Sequence, residues 1–165
     1  MQKAVYLVLL VFTSMCWAQD SSFLALVKVD YSSTSGKEDT QFSLDKERHI
    51  FFIESDNKEE LLFYNAFLKE KEESHSAGTI KNVKRIKNTK EQHVYSFEWN
   101  VENSYDAIKS KVFVTLEINE SETTNKESKA KITITNEKDL KLVYEGIISY
   151  YVNPLLFYYR LEKII

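Results

Sequence analysis

Cysteine, proline and glycine are nearly missing from this chain, which has one, one and three of them in 165 residues. The single cysteine, Cys16, falls in an N-terminal stretch that reads as a leader. Once the leader is removed, no disulfide, thiolate nucleophile or cysteine-based zinc site can form. Three glycines leave almost nothing from which to build phosphate-cradling loops. Walker A, the Gly-rich dinucleotide loop, the nucleophile elbow, HExxH and the EF-hand loop are all missing. Nucleotide chemistry is therefore disfavoured, and no cofactor is implied.

Long apolar runs are scarce too. Ala4 to Phe12 is the longest, about half of the ~20 residues a spanning helix needs, so no transmembrane segment is expected. Lys3 precedes this run, and Cys16-Trp17-Ala18 places small residues at the minus-three and minus-one positions of a cut before Gln19. This pattern marks residues 1–18 as a secretory signal peptide and 19–165 as a single domain, secreted or periplasmic. A lipoprotein anchored through Cys16 is the alternative, but bulky Met15 does not suit that cleavage. Removing residues 1–18 takes away one charge, Lys3, and leaves 21 basic against 25 acidic residues, a net −4. The charges are interspersed, and no basic face of the kind phosphate binding requires is built, so nucleic acid is not an expected partner. Lys81, Lys84, Arg85, Lys87 and Lys90 form the one basic segment, which reads as a solvated loop or a lysine-guarded edge strand.

The residues that are present alternate. Phe23, Ala25, Val27, Val29 and Tyr31 recur at every second position, as do Tyr95, Phe97, Trp99 and Val101 after His93. Val112, Val114, Leu116 and Ile118 follow the same rule, and then Ala130, Ile132 and Ile134. Turns fall to Asn, Asp, Ser and Lys clusters such as Asn136-Glu137-Lys138-Asp139. Connections this short support antiparallel neighbours and not parallel crossovers. The pattern predicts a mainly β domain, an antiparallel meander of about seven to nine strands closed as a barrel or stacked as a sandwich, with one or two short helices. Phe42 and Leu44 read as the start of a strand. Residues 59–73 satisfy helical spacing through Leu61, Tyr64, Phe67 and Leu68 and are read as a helix, although Leu61, Phe63, Asn65 and Phe67 share a strand face. Asn153 and Pro154 have the form of a cap and first turn, predicting a closing helix from Leu155, although that segment also alternates tolerably as a strand.

Functional signals are weaker. Tyr95, Phe97, Trp99, Asn103 and Tyr105 combine stacking with hydrogen-bonding groups and form the candidate ligand surface. The dense tyrosines near the C-terminus, Tyr150, Tyr151, Tyr158 and Tyr159, form the candidate partner surface, since a phenol has an apolar body and a wet tip. Either set also serves an ordinary core. His49, His75 and His93 are the only histidines, and none has another two or four residues away, so no metal site is expected. Asn119-Glu120-Ser121 fits a glycosylation acceptor. The expectation is an exported, non-catalytic binding protein of the envelope or exterior. It would hold a small apolar or amphipathic ligand, or an envelope protein partner, on an aromatic-rich sheet. The alternatives are a hydrolase or metal-dependent enzyme that gathers the scattered histidines with acids, and a structural envelope component.

Overall fold

The computed structural model describes residues 22–55, 59–69, 75–104, 109–120, 127–138 and 140–164. The expected leader, its cleavage site, Cys16 and Tyr105 lie outside them.

The elements are β1 (Ser22–Thr34), β2 (Lys37–Glu38), α1 (Thr40–Asp45), β3 (Arg48–Glu54), β4 (Leu61–Phe67), β5 (His75–Asn88), β6 (Gln92–Asn103), β7 (Lys109–Asn119), β8 (Glu127–Thr135), β9 (Lys141–Tyr150) and α2 (Pro154–Glu162). Strands β1 and β3 to β9 pair in chain order, each antiparallel to the next. Strand β1 also pairs with β9 from Ala25↔Tyr150 to Thr34↔Leu142, which closes the sheet. The result is an eight-stranded up-and-down barrel with β2 as a short extra strand beside β1. Closure pairs every long strand and leaves little free edge. The expected antiparallel β architecture is therefore a barrel and not a sandwich.

Closure requires two close approaches of backbone. A Cβ on Gly146 would stand 2.0 Å from the Lys28 carbonyl oxygen across the β1–β9 seam, and one on Gly78 would stand 1.7 Å from that of Asn100. Two bulges in β1, between Phe23 and Ala25 and between Val29 and Tyr31, break its alternation. Phe23 and Tyr31, expected on the inner face, are only half-buried, while Leu24, Ser32 and Ser33 are buried instead. A bulge adds a residue to one strand and reverses the side that later side chains face.

Two sequence expectations are corrected. Residues 61–67 form strand β4 and not a helix, because Leu61 and Phe63 enter the core while β3 and β5 satisfy the backbone on either side. Phe42 and Leu44 belong to helix α1 and not to a strand; they face solvent, and the helix is anchored by buried Ser43. The closing helix forms as expected, with the Asn153 side chain accepting from the Leu155 N–H at 2.9 Å and Pro154 in the first turn.

Helix α2 plugs one end of the barrel. Phe157 and Leu161 are fully buried there. The Phe157 ring begins a column of edge-to-face contacts along the interior: Phe157–Phe52 at 5.3 Å, Phe52–Phe63 at 5.2 Å and Phe63–Trp99 at 4.8 Å. Strand β4 pairs with β5 only as far as Thr79, so the basic end of β5 is a local edge. The chain after α2 crosses that edge, where the Val83 N–H donates to the Ile164 carbonyl at 3.4 Å.

Candidate functional site

The two ends of the barrel differ in chemistry. At the plugged end, polar groups are spent on one another. Tyr95 donates to Glu162 at 2.9 Å, and Arg85 donates to the same carboxylate oxygen at 3.0 Å. Tyr158 donates to Glu120, its hydroxyl lies 2.7 Å from that of Tyr150, and Ser128 donates to the other Glu120 oxygen at 2.6 Å. Burial, helped by the adjoining carboxylates, pushes the phenols of Tyr95, Tyr150 and Tyr158 well above their ordinary range. His93 stacks on Tyr158 at 4.2 Å between centroids, with Nε2 3.7 Å from Glu120. Burial holds its pKa below the usual value despite Glu120 and Glu162, so at neutral pH it is an uncharged stacking partner and not half of an ion pair. Arg160 and Glu54, both largely buried, bind the helix to β3. These groups latch α2 to the barrel.

The opposite end holds a cavity of about 250 Å³. Its position follows from the strand register. Trp99 on β6 lies opposite Val112 on β7, Val101 lies opposite Ser110, and Ile134 on β8 lies opposite Leu142 on β9. Trp99, Val101, Val112, Ile134, Leu140 and Leu142 form an apolar floor beyond the last ring of the aromatic column. The polar lining comes from Asn65, Ser76, Asn103, Ser110 and Asn136, all amides or hydroxyls. No acid or histidine lines the cavity among the described residues. The Trp99 Nε1–H in its wall is buried and meets no hydrogen-bond acceptor among the described residues. A buried indole N–H normally finds one.

Of the ligand candidates read from sequence, Trp99 and Asn103 line this cavity. Tyr95 belongs to the latch at the other end, and Phe97 packs on Phe63 at 5.8 Å inside the column. The partner candidates divide as well. Tyr150 and Tyr158 are buried in the latch, while Tyr151 and Tyr159 are 62% and 51% exposed. The histidines do not converge. His93 is in the latch, while His49 and His75 stand on either side of Ala66 on neighbouring strands. Among the described residues no group of three His, Cys, Asp or Glu side chains could hold a metal ion.

Beside the cavity, where β3 begins, is Arg48. Its Nε donates to Ser43 at 3.0 Å, and its Nη1 donates to Asn65 Oδ1 at 3.2 Å and to the Tyr144 hydroxyl at 3.1 Å. The guanidinium lies over the rings of Phe67, at 4.1 Å, and Tyr144, at 4.7 Å. Asp39 has one oxygen on the Ser32 hydroxyl and the other on that of Thr34 at 2.7 Å. Burial pushes its carboxyl up, but those hydrogen bonds and the charge of Arg48 outweigh it and hold the group below its ordinary range.

Comparison with protein-family models, with curated proteins and with solved structures returned no match, so the site is read from its own chemistry.

Proposed function

We propose that this is a non-catalytic binding protein, exported by the leader at residues 1–18, whose barrel mouth holds a small amphipathic molecule. One observation carries the reading: a cavity with an apolar floor and, among the described residues, an uncharged amide-and-hydroxyl rim, at the barrel end that α2 does not fill. An eight-stranded barrel either fills its interior with side chains or holds one small ligand. Here the aromatic column fills one part and the cavity begins where it stops. The amide-and-hydroxyl lining suits a guest that needs orienting.

Size sets the expected affinity. At ~30 Å³ per water-sized group the cavity takes a ligand of about eight non-hydrogen atoms. With roughly 0.5 to 1 kcal/mol gained per atom, such a guest binds with a Kd between millimolar and micromolar. Trp99 reports on it directly, since the only other tryptophan, Trp17, lies in the leader. Titrating the mature chain with short alcohols and amides should change Trp99 emission saturably, and Leu142→Trp, which fills the floor, should abolish binding of the same probes when followed by ligand-observed NMR. Unsaturable emission, or equal binding by the filled variant, refutes the reading. Export is tested separately by intact mass, which should show a mature chain beginning at Gln19; a lipid-bearing Cys16 at the N-terminus would replace release with anchoring.

A further inference from the structure

Arg48 has five N–H donors in a fixed fork, and the cluster around it uses only part of that capacity. Ser43, Asn65 and Tyr144 take protons from Nε and Nη1, and among the described residues no hydrogen bond leaves Nη2. All three partners are neutral. Lys69, Arg85, Lys109, Lys111, Lys131 and Arg160 each stand in an ion pair with a carboxylate, and among the described residues no ion pair involves Arg48. The nearest compensating charge, Asp39, reaches the guanidinium through two hydroxyls. Ser43 accepts from Arg48, Ser43 and Ser32 lie 2.7 Å apart, and Ser32 donates to Asp39. That relay accounts for how α1 sits on the barrel rim, and it leaves the outer edge of the guanidinium without a partner.

A partly buried cation normally has an anion beside it, because desolvation is otherwise uncompensated. The geometry connects this cation to the cavity by one side chain, since Asn65 accepts from Arg48 and also lines the cavity. We propose that the guest is a small carboxylate. Its head group reaches Arg48 Nη2 past Asn65, and its apolar part lies over Trp99, Val112 and Leu142. The planar fork suits a carboxylate. The Phe67 and Tyr144 rings hold the fork in place, so little ordering remains to be done on binding. This rests on the cavity being a binding site, as proposed above.

The test compares hexanoate with hexanamide, which match in non-hydrogen atoms and differ in charge, by Trp99 emission and by ligand-observed NMR on the mature chain at neutral pH. Hexanoate should bind at least about tenfold tighter, the effect of one charge-assisted hydrogen bond. Arg48→Met, which keeps an apolar stem between the two rings, should bring the two affinities together. Equal affinities in the unaltered protein, or a preference that survives Arg48→Met, overturn the carboxylate and leave the cavity as a site for neutral guests. If neither probe binds, the proposed function falls with it. Should Arg48→Met fail to fold, Arg48→Lys decides: it keeps the charge and loses the fork, so a reduced preference supports the assignment and an unchanged one overturns it.

Discussion

Removing the Phe157 ring tests whether plug and barrel form one core. The side chain is fully buried against Phe52 and Tyr150, at 5.3 and 5.5 Å between centroids. A buried aromatic removes about 150 to 250 Å² from water, which at ~25 cal/mol per Å² corresponds to roughly 4 to 6 kcal/mol. Alanine retains a little of this and the site partly collapses, so Phe157→Ala should cost about 4 kcal/mol. For a chain of this size that lowers Tm by about 8 to 16 °C. Helix α2, at nine residues, has no stability of its own and is helical only because it is packed. Urea unfolding followed together by far-ultraviolet dichroism and Trp99 emission should show one transition with both midpoints shifted equally, because Phe52 and Phe63 join the plug to Trp99. Leu155→Ala on the same helix, where the side chain is 76% exposed, should stay within about 0.5 kcal/mol of the original. A loss below 1 kcal/mol for Phe157→Ala, or a dichroism change that precedes the change at Trp99, would refute a shared core. The affinity for hexanamide should be unchanged in the folded variant, since the cavity lies at the other end.

Three further outcomes follow from the same packing. Arg160→Met leaves Glu54 buried without its cation and should cost about 3 kcal/mol by urea titration, much of which the double variant with Glu54→Met recovers. Gly146→Ala should destabilise by about 3 kcal/mol or more, because the new carbon meets backbone at the closing seam, whereas Gly36→Ala, at φ +81° with open space around it, should cost only about 1 kcal/mol, as thermal melts will show. His93 holds a proton less readily folded than unfolded, so its contribution to stability is intact above pH ~6.5 and is lost as pH falls below that value. Replacing it with phenylalanine should flatten the acid limb of the stability profile by no more than about 1.4 kcal/mol per pH unit, the effect of one proton.

The barrel was legible where one face of a strand meets oil and the other meets water. Strands β6, β7 and β8 alternate without interruption, and the structure buries the side chains expected from each. Legibility failed where the local rule has two solutions. In β4, Leu61, Tyr64 and Phe67 satisfy a helix as well as Leu61, Phe63 and Asn65 satisfy a strand, and the choice is made by β3 and β5, which no local window contains. Helix α1 is hidden in the sequence because its buried anchor is Ser43, a residue with no apolar signature, while its two apolar side chains face outward. The bulges in β1 were silent because they shift register without changing composition.

The site was less legible than the fold because its chemistry is supplied by residues that look ordinary in sequence. Asn65, Ser76, Ser110 and Asn136 are the kinds of residue that populate strand ends in any soluble barrel, and only closure of β1 on β9 brings them to one mouth. The aromatic signal was correct in type and broad in place: Tyr95, Phe97 and Trp99 share a face, yet one serves the latch, one the column and one the cavity, because an axial plug divides that face along its length. The same division explains the tyrosines. Tyr150 and Tyr158 are eight residues apart, one ending the last strand and the other inside the helix that folds back over it, so their hydroxyls meet indoors, while Tyr151 and Tyr159, each one residue further on, turn outward. Arg48 carried no signal at all, since an arginine opening a strand is common. What singles it out is three-dimensional: neutral partners on every bonded nitrogen, an aspartate kept two hydroxyls away, and an amide shared with the cavity wall. In a barrel whose other end spends its charges on latching a helix, an arginine left with neutral partners is the group whose electrostatics the proposed carboxylate would complete.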